Sequence, residues 1–215
     1  MKTKYILIVP LFSLILGCKK ENEVTTPPPV NPPQVYDTFN INDYVKLDSG
    51  NFWVYEIHRT DSNGIDSLMG IDTARVTGNV QINGYNYHEV IHYFLSATAL
   101  YYRDSANCII NPGGDILLST NFNDTIGYGN FSGIYESYSI SLNLPSIVTV
   151  PAGVFDSVLT TRIDYYFVPP LDTSYNPRQY YTHFAKNIGL IKFTYSYGAQ
   201  PFNIYDKRLV SYFVQ

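Results

Sequence analysis

The chain has 215 residues, 14 basic and 18 acidic side chains, a formal net charge of −4 and 21 tyrosines. The acidic balance excludes the basic footprint of a nucleic-acid binder and broad electrostatic attachment to anionic lipid. The length suits one domain, large enough to bury a core without disulfide staples.

The chain opens with Lys2 and Lys4, then an apolar run from Tyr5 to Leu16. That run is 12 residues and contains Pro10, whereas a membrane span needs about 20 apolar residues. The layout is a secretory signal with a small residue before the cleavage point. The segment Leu14-Ile15-Leu16-Gly17-Cys18 resembles a bacterial lipoprotein box. The resemblance implies cleavage before Cys18, diacylglycerol on its sulfur and a third acyl chain on its new amino group. At about 0.8 kcal/mol per buried methylene, two or more chains give stable anchoring. Cleavage removes Lys2 and Lys4 and leaves 12 basic against 18 acidic residues. Lys19-Lys20-Glu21-Asn22-Glu23 resembles the surface-export signal of Bacteroidota lipoproteins. The expected location is the outer membrane, on its periplasmic face or at the cell surface.

Five prolines (Pro27, Pro28, Pro29, Pro32 and Pro33) follow between Thr25 and Val35. Such a run is a semi-rigid polyproline II spacer; at about 3.1 Å per residue, Lys19 to Tyr36 reaches roughly 55 Å. Three parts are therefore expected: a signal peptide over 1–17, a lipid-anchored linker over 18–35 and a β-rich domain over 36–215.

From Tyr36 onward the pattern is strands broken by turn chemistry. Phe39–Ser49 alone looks able to make a short helix. Phe52-Trp53-Val54-Tyr55-Glu56-Ile57-His58 alternates, with Trp53, Tyr55 and Ile57 on one face. Asn63-Gly64 and Asn83-Gly84 are hairpin turns, because both residue types tolerate positive φ. Further strands are predicted over Thr73–Val80, Tyr85–Leu95, Ala99–Arg103, Ile116–Leu118, Tyr135–Leu142, Ile147–Val150, Val154–Val168, Gln179–Ala185, Leu190–Ser196 and Phe202–Phe213. Breaks fall at Asn111-Pro112-Gly113-Gly114, Pro151-Ala152-Gly153, Pro169-Pro170 and Gly198. The expected fold is all-β: one antiparallel sheet curled into an open barrel or sandwich. Cys108 sits beside Ile109-Ile110 and reads as a buried, inert thiol with no partner once Cys18 is acylated. The tyrosines read as filler for a half-solvated β-surface or as a surface that stacks on sugars or peptides.

Three segments carry a family resemblance. They are Asp43–Tyr55, Val148–Asp156 and Tyr180–Lys192, which hold Gly50-Asn51-Phe52-Trp53-Val54-Tyr55, Val150-Pro151-Ala152-Gly153-Val154-Phe155 and Gly189-Leu190-Ile191-Lys192. They resemble a group of Bacteroidota-type lipoproteins of unassigned activity with a G-N-x-W-x-Y start, a V-P-A-G-x-F centre and a G-hydrophobic-hydrophobic-K close. The resemblance implies an antiparallel β domain and brings no activity with it. The motifs read as architecture: Pro151 and Gly153 turn a corner, Gly189 permits a tight bend, and Trp53 anchors the core.

One motif names a chemistry. His88-Glu89-Val90-Ile91-His92 matches H-E-x-x-H, which on a helix sets two imidazoles on one face to bind Zn²⁺, with the glutamate as general base. That is the reading of a secreted zinc metallopeptidase. The context favours a strand instead, where residues four apart lie about 13 Å from each other and cannot share a zinc. Leu95 and Thr98 also occupy the glycine and third-histidine places of the extended motif. Asp61-Ser62-Asn63-Gly64-Ile65-Asp66 could offer oxygens to Ca²⁺ but lacks the acidic twelfth residue of an EF-hand loop, and reads as a hairpin turn. No metal ligand, cofactor site or catalytic residue is assigned, and Cys18 is the one site residue. The leading expectation is a lipid-anchored, non-catalytic envelope lipoprotein. Its partners are the membrane, through the lipid, and a glycan or another envelope protein. The alternatives are the zinc peptidase and a carrier of an apolar ligand in a curled sheet.

Overall fold

The computed structural model describes residues 40–94, 97–131, 133–168, 177–196 and 203–215, with the backbone alone at 143–145. Cys18, the signal, the linker, Leu95, Pro169-Pro170, Gly198 and Phe202 lie outside the described residues. Asp37–Gln215 forms one compact unit.

The expected antiparallel sheet is present. Its strands are β1 (Phe52–Thr60), β2 (Asp66–Ile82), β3 (Tyr85–His92), β4 (Thr98–Ser105), β5 (Cys108–Ile110) and β6 (Ile116–Ser119). They continue with β7 (Thr125–Phe131), β8 (Tyr135–Val150), β9 (Gly153–Phe167), β10 (Arg178–Ala185), β11 (Gly189–Ser196) and β12 (Ile204–Phe213). The spatial order is β6-β5-β4-β3-β2-β1-β12-β11-β10-β9-β8-β7. Among the described residues each strand therefore pairs with its sequence neighbour, β12 returns to β1, and only β6 and β7 are left unpaired with each other. The result is an up-and-down meander curled into a nearly closed barrel with one seam. Serine and threonine hydroxyls help span that seam. Ser119 N donates to Ser141 Oγ (3.2 Å), and Thr161 Oγ1 donates to the Leu117 carbonyl (3.4 Å). Asn123 N donates to the Ser141 carbonyl (2.7 Å).

Alternation places the core. Trp53, Tyr55 and Ile57 are buried on one face of β1, as the period-two pattern requires. Trp53 and Tyr55 join Ala74, Val76, Val90, Ile191 and Leu209 in one cluster. A second cluster gathers Ile109, Leu118, Leu159 and Phe184 around Ile41, Tyr44 and Val45. The predicted short helix over Phe39–Ser49 shrinks to one 3₁₀ turn, Ile41–Asp43, whose second amide, Asn42 N, donates to Asn40 Oδ1 (3.1 Å). Beyond it the chain is held by burial of Tyr44 and Val45 rather than by a helix.

The three sequence motifs meet in space. Trp53 Nε1 donates to the Ile188 carbonyl (2.7 Å) and Tyr55 Oη to the Leu190 carbonyl (2.9 Å). Gly189 has φ +107°, and a Cβ there would come within 3.3 Å of the Trp53 ring. The β8–β9 corner is tied down because Ala152 N donates to the Leu209 carbonyl (2.9 Å). Asn51 is fully buried, and its side-chain oxygen accepts from Gln215 N (3.0 Å).

Some expectations need correction. Strands β5 and β7 were not predicted, and the two segments Tyr135–Leu142 and Ile147–Val150 are one continuous strand, β8, with register shifts after Leu142 and Ser146. Cys108 is half-buried rather than buried, because it sits on short β5 beside the seam and bonds Ser119 Oγ (3.3 Å).

Candidate functional site

The H-E-x-x-H segment lies on β3, as its context predicted. There His88 pairs with Asn79 and Tyr102, and His92 with Ala74 and Thr98. Glu89 has the opposite parity and is held by Thr77 Oγ1 (2.6 Å) and Tyr101 (3.3 Å). At about 3.3 Å per residue the two imidazoles are spread along the strand and cannot hold one ion. The other histidines stand apart: His58 between Glu56 (3.0 Å) and Asp66 (3.1 Å), and His183 against Thr160 Oγ1 (3.0 Å). Among the described residues no group of three or more His, Cys, Asp or Glu could hold a metal ion. The Asp61–Asp66 segment is a hairpin turn: Asp61 Oδ1 accepts from Asn63 N (2.8 Å) and Ile65 N (2.9 Å). These bonds hold the Asp61 carboxyl below the usual carboxylate range, the one from Ile65 foremost.

A feature able to hold a small molecule lies elsewhere. The barrel interior holds a cavity of about 510 Å³, within the roughly 300–1,000 Å³ of small-molecule sites. Its wall is largely aromatic and aliphatic: Trp53, Val90, Tyr102, Phe184, Leu190 and Phe193 are representative. Thr98 and Leu100 on β4 line it while remaining exposed, so they mark its opening to solvent.

Set into this wall, which Lys46 also lines, is a mutually bonded ionic cluster of Asp72, His92 and Lys207. Asp72 comes from β2, with the same parity as buried Ala74 and Val76. Lys207 comes from β12, two residues before buried Leu209, and His92 ends β3. Lys207 Nζ donates to Asp72 Oδ2, and its ammonium also lies 4.3 Å from the centre of the Tyr55 ring. His92 Nδ1 is 2.9 Å from the same Asp72 oxygen, while Tyr93 N donates to Asp72 Oδ1 (3.0 Å). Burial by itself raises the Asp72 carboxyl, but the His92 hydrogen bond and the Lys207 charge outweigh it and hold it well below the usual range. Burial lowers the Lys207 ammonium against the opposing pull of Asp72. Burial, then the negative Asp72, raises the Tyr55 hydroxyl well above its ordinary value.

Asp72 and Lys207 were missed by sequence reasoning, though a signal was present. Each is a charge at an inward position of an alternating strand: Asp72 in Asp72-Thr73-Ala74-Arg75-Val76, Lys207 in Lys207-Arg208-Leu209. His92 was singled out, for a different chemistry.

A second feature is aromatic and external. Tyr138 contacts Tyr128 and Tyr166, tilted or edge-on, across β7, β8 and β9, while Tyr135, Tyr165 and Tyr180 form a separate group on the opposite face of β8 and β9. Tyr128, Phe131 and Tyr166 are exposed.

No family model matches the chain, and no curated protein matches it. Two solved structures are similar. One is a "putative exported protein with YmcC-like fold" of Bacteroides fragilis, at 14% identity and TM-score 0.52, covering 79% of this chain and 98% of that one. The other is a "putative lipoprotein" of Parabacteroides distasonis, at 12% identity and TM-score 0.38, covering 79% and 97%. The first likeness shows a shared fold: the barrel described here resembles the YmcC-like fold.

Proposed function

We propose that this chain is a lipid-anchored lipoprotein of the cell envelope, attached to the outer membrane through Cys18, whose barrel binds an apolar small molecule without catalysing its conversion. The observation that carries the binding reading is the 510 Å³ cavity with its apolar wall and its compensated ionic triad. A solid core would close such a space, because interiors pack to crystal-like density. The anchor rests on Leu14-Ile15-Leu16-Gly17-Cys18 and its fit to a lipoprotein box. Names of similar structures point the same way, one exported and one a lipoprotein.

The energetics are adequate. A chain of ten methylenes buried in the cavity gains on the order of 8 kcal/mol before ordering costs. Ordering and association costs reduce that gross gain, so the expected affinity is weaker than the micromolar value that about 8 kcal/mol of net free energy would give.

Two measurements test the proposal. Cys18→Ala moves the chain from the membrane fraction to the soluble one, and a variant that still pellets with membranes removes the anchor. The unit Asp37–Gln215, titrated with the neutral fluorophore N-phenyl-1-naphthylamine, shows saturable binding of one probe per chain. Absence of saturable binding removes the ligand reading.

A further inference from the structure

We infer that the cavity takes an uncharged single-chain amphiphile whose hydroxyl or amide hydrogen is accepted by His92 Nε2. This rests on the ligand-binding reading above and adds the class of ligand.

The hydrogen-bond inventory of the triad selects the head group. Ionised Asp72 can only accept, and Lys207 can only donate. His92 Nδ1 stands 2.9 Å from Asp72 Oδ2, so a bond there requires the ring proton on Nδ1. Lys207 Nζ and His92 Nδ1 are 3.0 Å apart because both converge on the same carboxylate oxygen. With Tyr93 N on the other oxygen, Asp72 receives three donors. The charge of Asp72 is therefore answered inside the triad, and no ligand is needed to balance it.

An imidazole with its proton on Nδ1 carries a lone pair on Nε2. That atom makes no hydrogen bond with any described residue, and His92 lines the cavity. The triad thus presents one unoccupied acceptor to a largely apolar space, whose other polar lining is the Lys46 ammonium and the hydroxyls of Thr98, Thr182 and the tyrosines. A ligand with an O–H or N–H completes it. A carboxylate or phosphate head would meet a lone pair with a lone pair, and would lose its hydration in an apolar cavity.

Size sets the rest. At roughly 30 Å³ per methylene, about the volume share of a water molecule, the 510 Å³ cavity holds one chain on the order of fifteen carbons. A second chain of that length has no room inside the cavity. One cation could argue for the opposite head group. Lys46 lines the cavity and has no carboxylate partner among the described residues, whereas Lys186, Lys192 and Lys207 each have one. Lys46 is half-exposed, so water already solvates its charge.

The test is displacement of N-phenyl-1-naphthylamine from Asp37–Gln215 by three ligands of one chain length: 1-dodecanol, its methyl ether and dodecanoate at pH 8. Dodecanol displaces the probe at a concentration about five-fold lower than the ether, the worth of one neutral hydrogen bond, and dodecanoate is the weakest. In His92→Phe, alcohol and ether become equal. Equal displacement by alcohol and ether in the native protein overturns the inference by itself, whether or not the variant folds. Tighter binding of dodecanoate also overturns it and assigns the head group to Lys46. Probe binding that none of the three displaces sinks the inference and leaves the ligand reading standing. Failure of the probe itself to bind removes both.

Discussion

His92 illustrates how one residue can carry a sequence signal for the wrong reason. Its spacing from His88 suggests zinc, yet on β3 its partners are Asp72 and Lys207, 20 and 115 residues away. No local pattern encodes that meeting; it follows from β12 closing onto β1 and from β3 flanking β2. What was legible was the parity of Asp72 and Lys207 with buried neighbours. Buried pairs of this kind are costly to break from one side. Lys207→Met leaves Asp72 without its cation and costs roughly 3–5 kcal/mol in urea unfolding. The double variant Asp72→Asn with Lys207→Met is milder than the single one, since no uncompensated charge remains. Gly189 is a second decisive residue. Its φ of +107° and the nearby Trp53 ring mean that Gly189→Ala costs about 1–3 kcal/mol by the same measurement. A neutral Gly189→Ala would refute the packing of the three motifs onto one another.

His183 supplies a pH prediction at the same scale. Burial, then the positive charge of Lys192, lowers its imidazole from 6.5 to about 4, with Asp206 opposing. The unfolded chain therefore binds a proton more readily than the folded one in that interval. Stability is full above about pH 6.5 and falls as the pH drops toward about 4. Asp72 acts in a separate window: its carboxyl is held below 3.8, so its contribution is present above that value and is lost below it. His183→Gln flattens the unfolding free energy between pH 6.5 and 4 and leaves the more acidic limb. A variant with an unchanged slope contradicts this assignment.

At the scale of elements, alternation and Asn-Gly turns located the long strands. The Asn83-Gly84 turn has φ of 51° and 81°, the left-handed pair such a hairpin requires. The failures share a cause. Strand β7 contains Gly127 and Gly129 and so lacks a strand's composition, and β5, Cys108-Ile109-Ile110, is too short for an alternating pattern to show. Both lie close to the seam, where short or glycine-bearing strands suffice because few partners are available. The seam rests on Ser141, whose hydroxyl and carbonyl take the amides of Ser119 and Asn123. Ser141 and Ser119 are each 1% exposed, so water cannot replace a lost partner. Ser141→Ala therefore costs about 1–3 kcal/mol and speeds amide hydrogen exchange in β6. Exchange in β1 and β12, which close the sheet on the far side, stays unchanged. Equal acceleration in all three strands would show that the seam does not open independently.

At the scale of the molecule, composition foretold an antiparallel curled sheet, and barrel or sandwich remained open. The choice is made by β12 pairing with β1, which turns a meander into a ring. Closure leaves an interior that the inward side chains do not fill. Its existence depends on how far twelve strands curl, a sum of small twists that alternation does not report. The cavity is the centre of the functional account, and its mouth at Leu100 offers the most direct measurement. The native unit Asp37–Gln215 and Leu100→Trp, which places a larger ring across the opening, would be titrated side by side with N-phenyl-1-naphthylamine. The account predicts one saturable site in the native protein and at least ten-fold weaker binding in the variant, a loss of about 1.4 kcal/mol, with unfolding midpoints that agree. Binding of equal strength in both proteins would place the probe on the outer aromatic face and contradict an interior site.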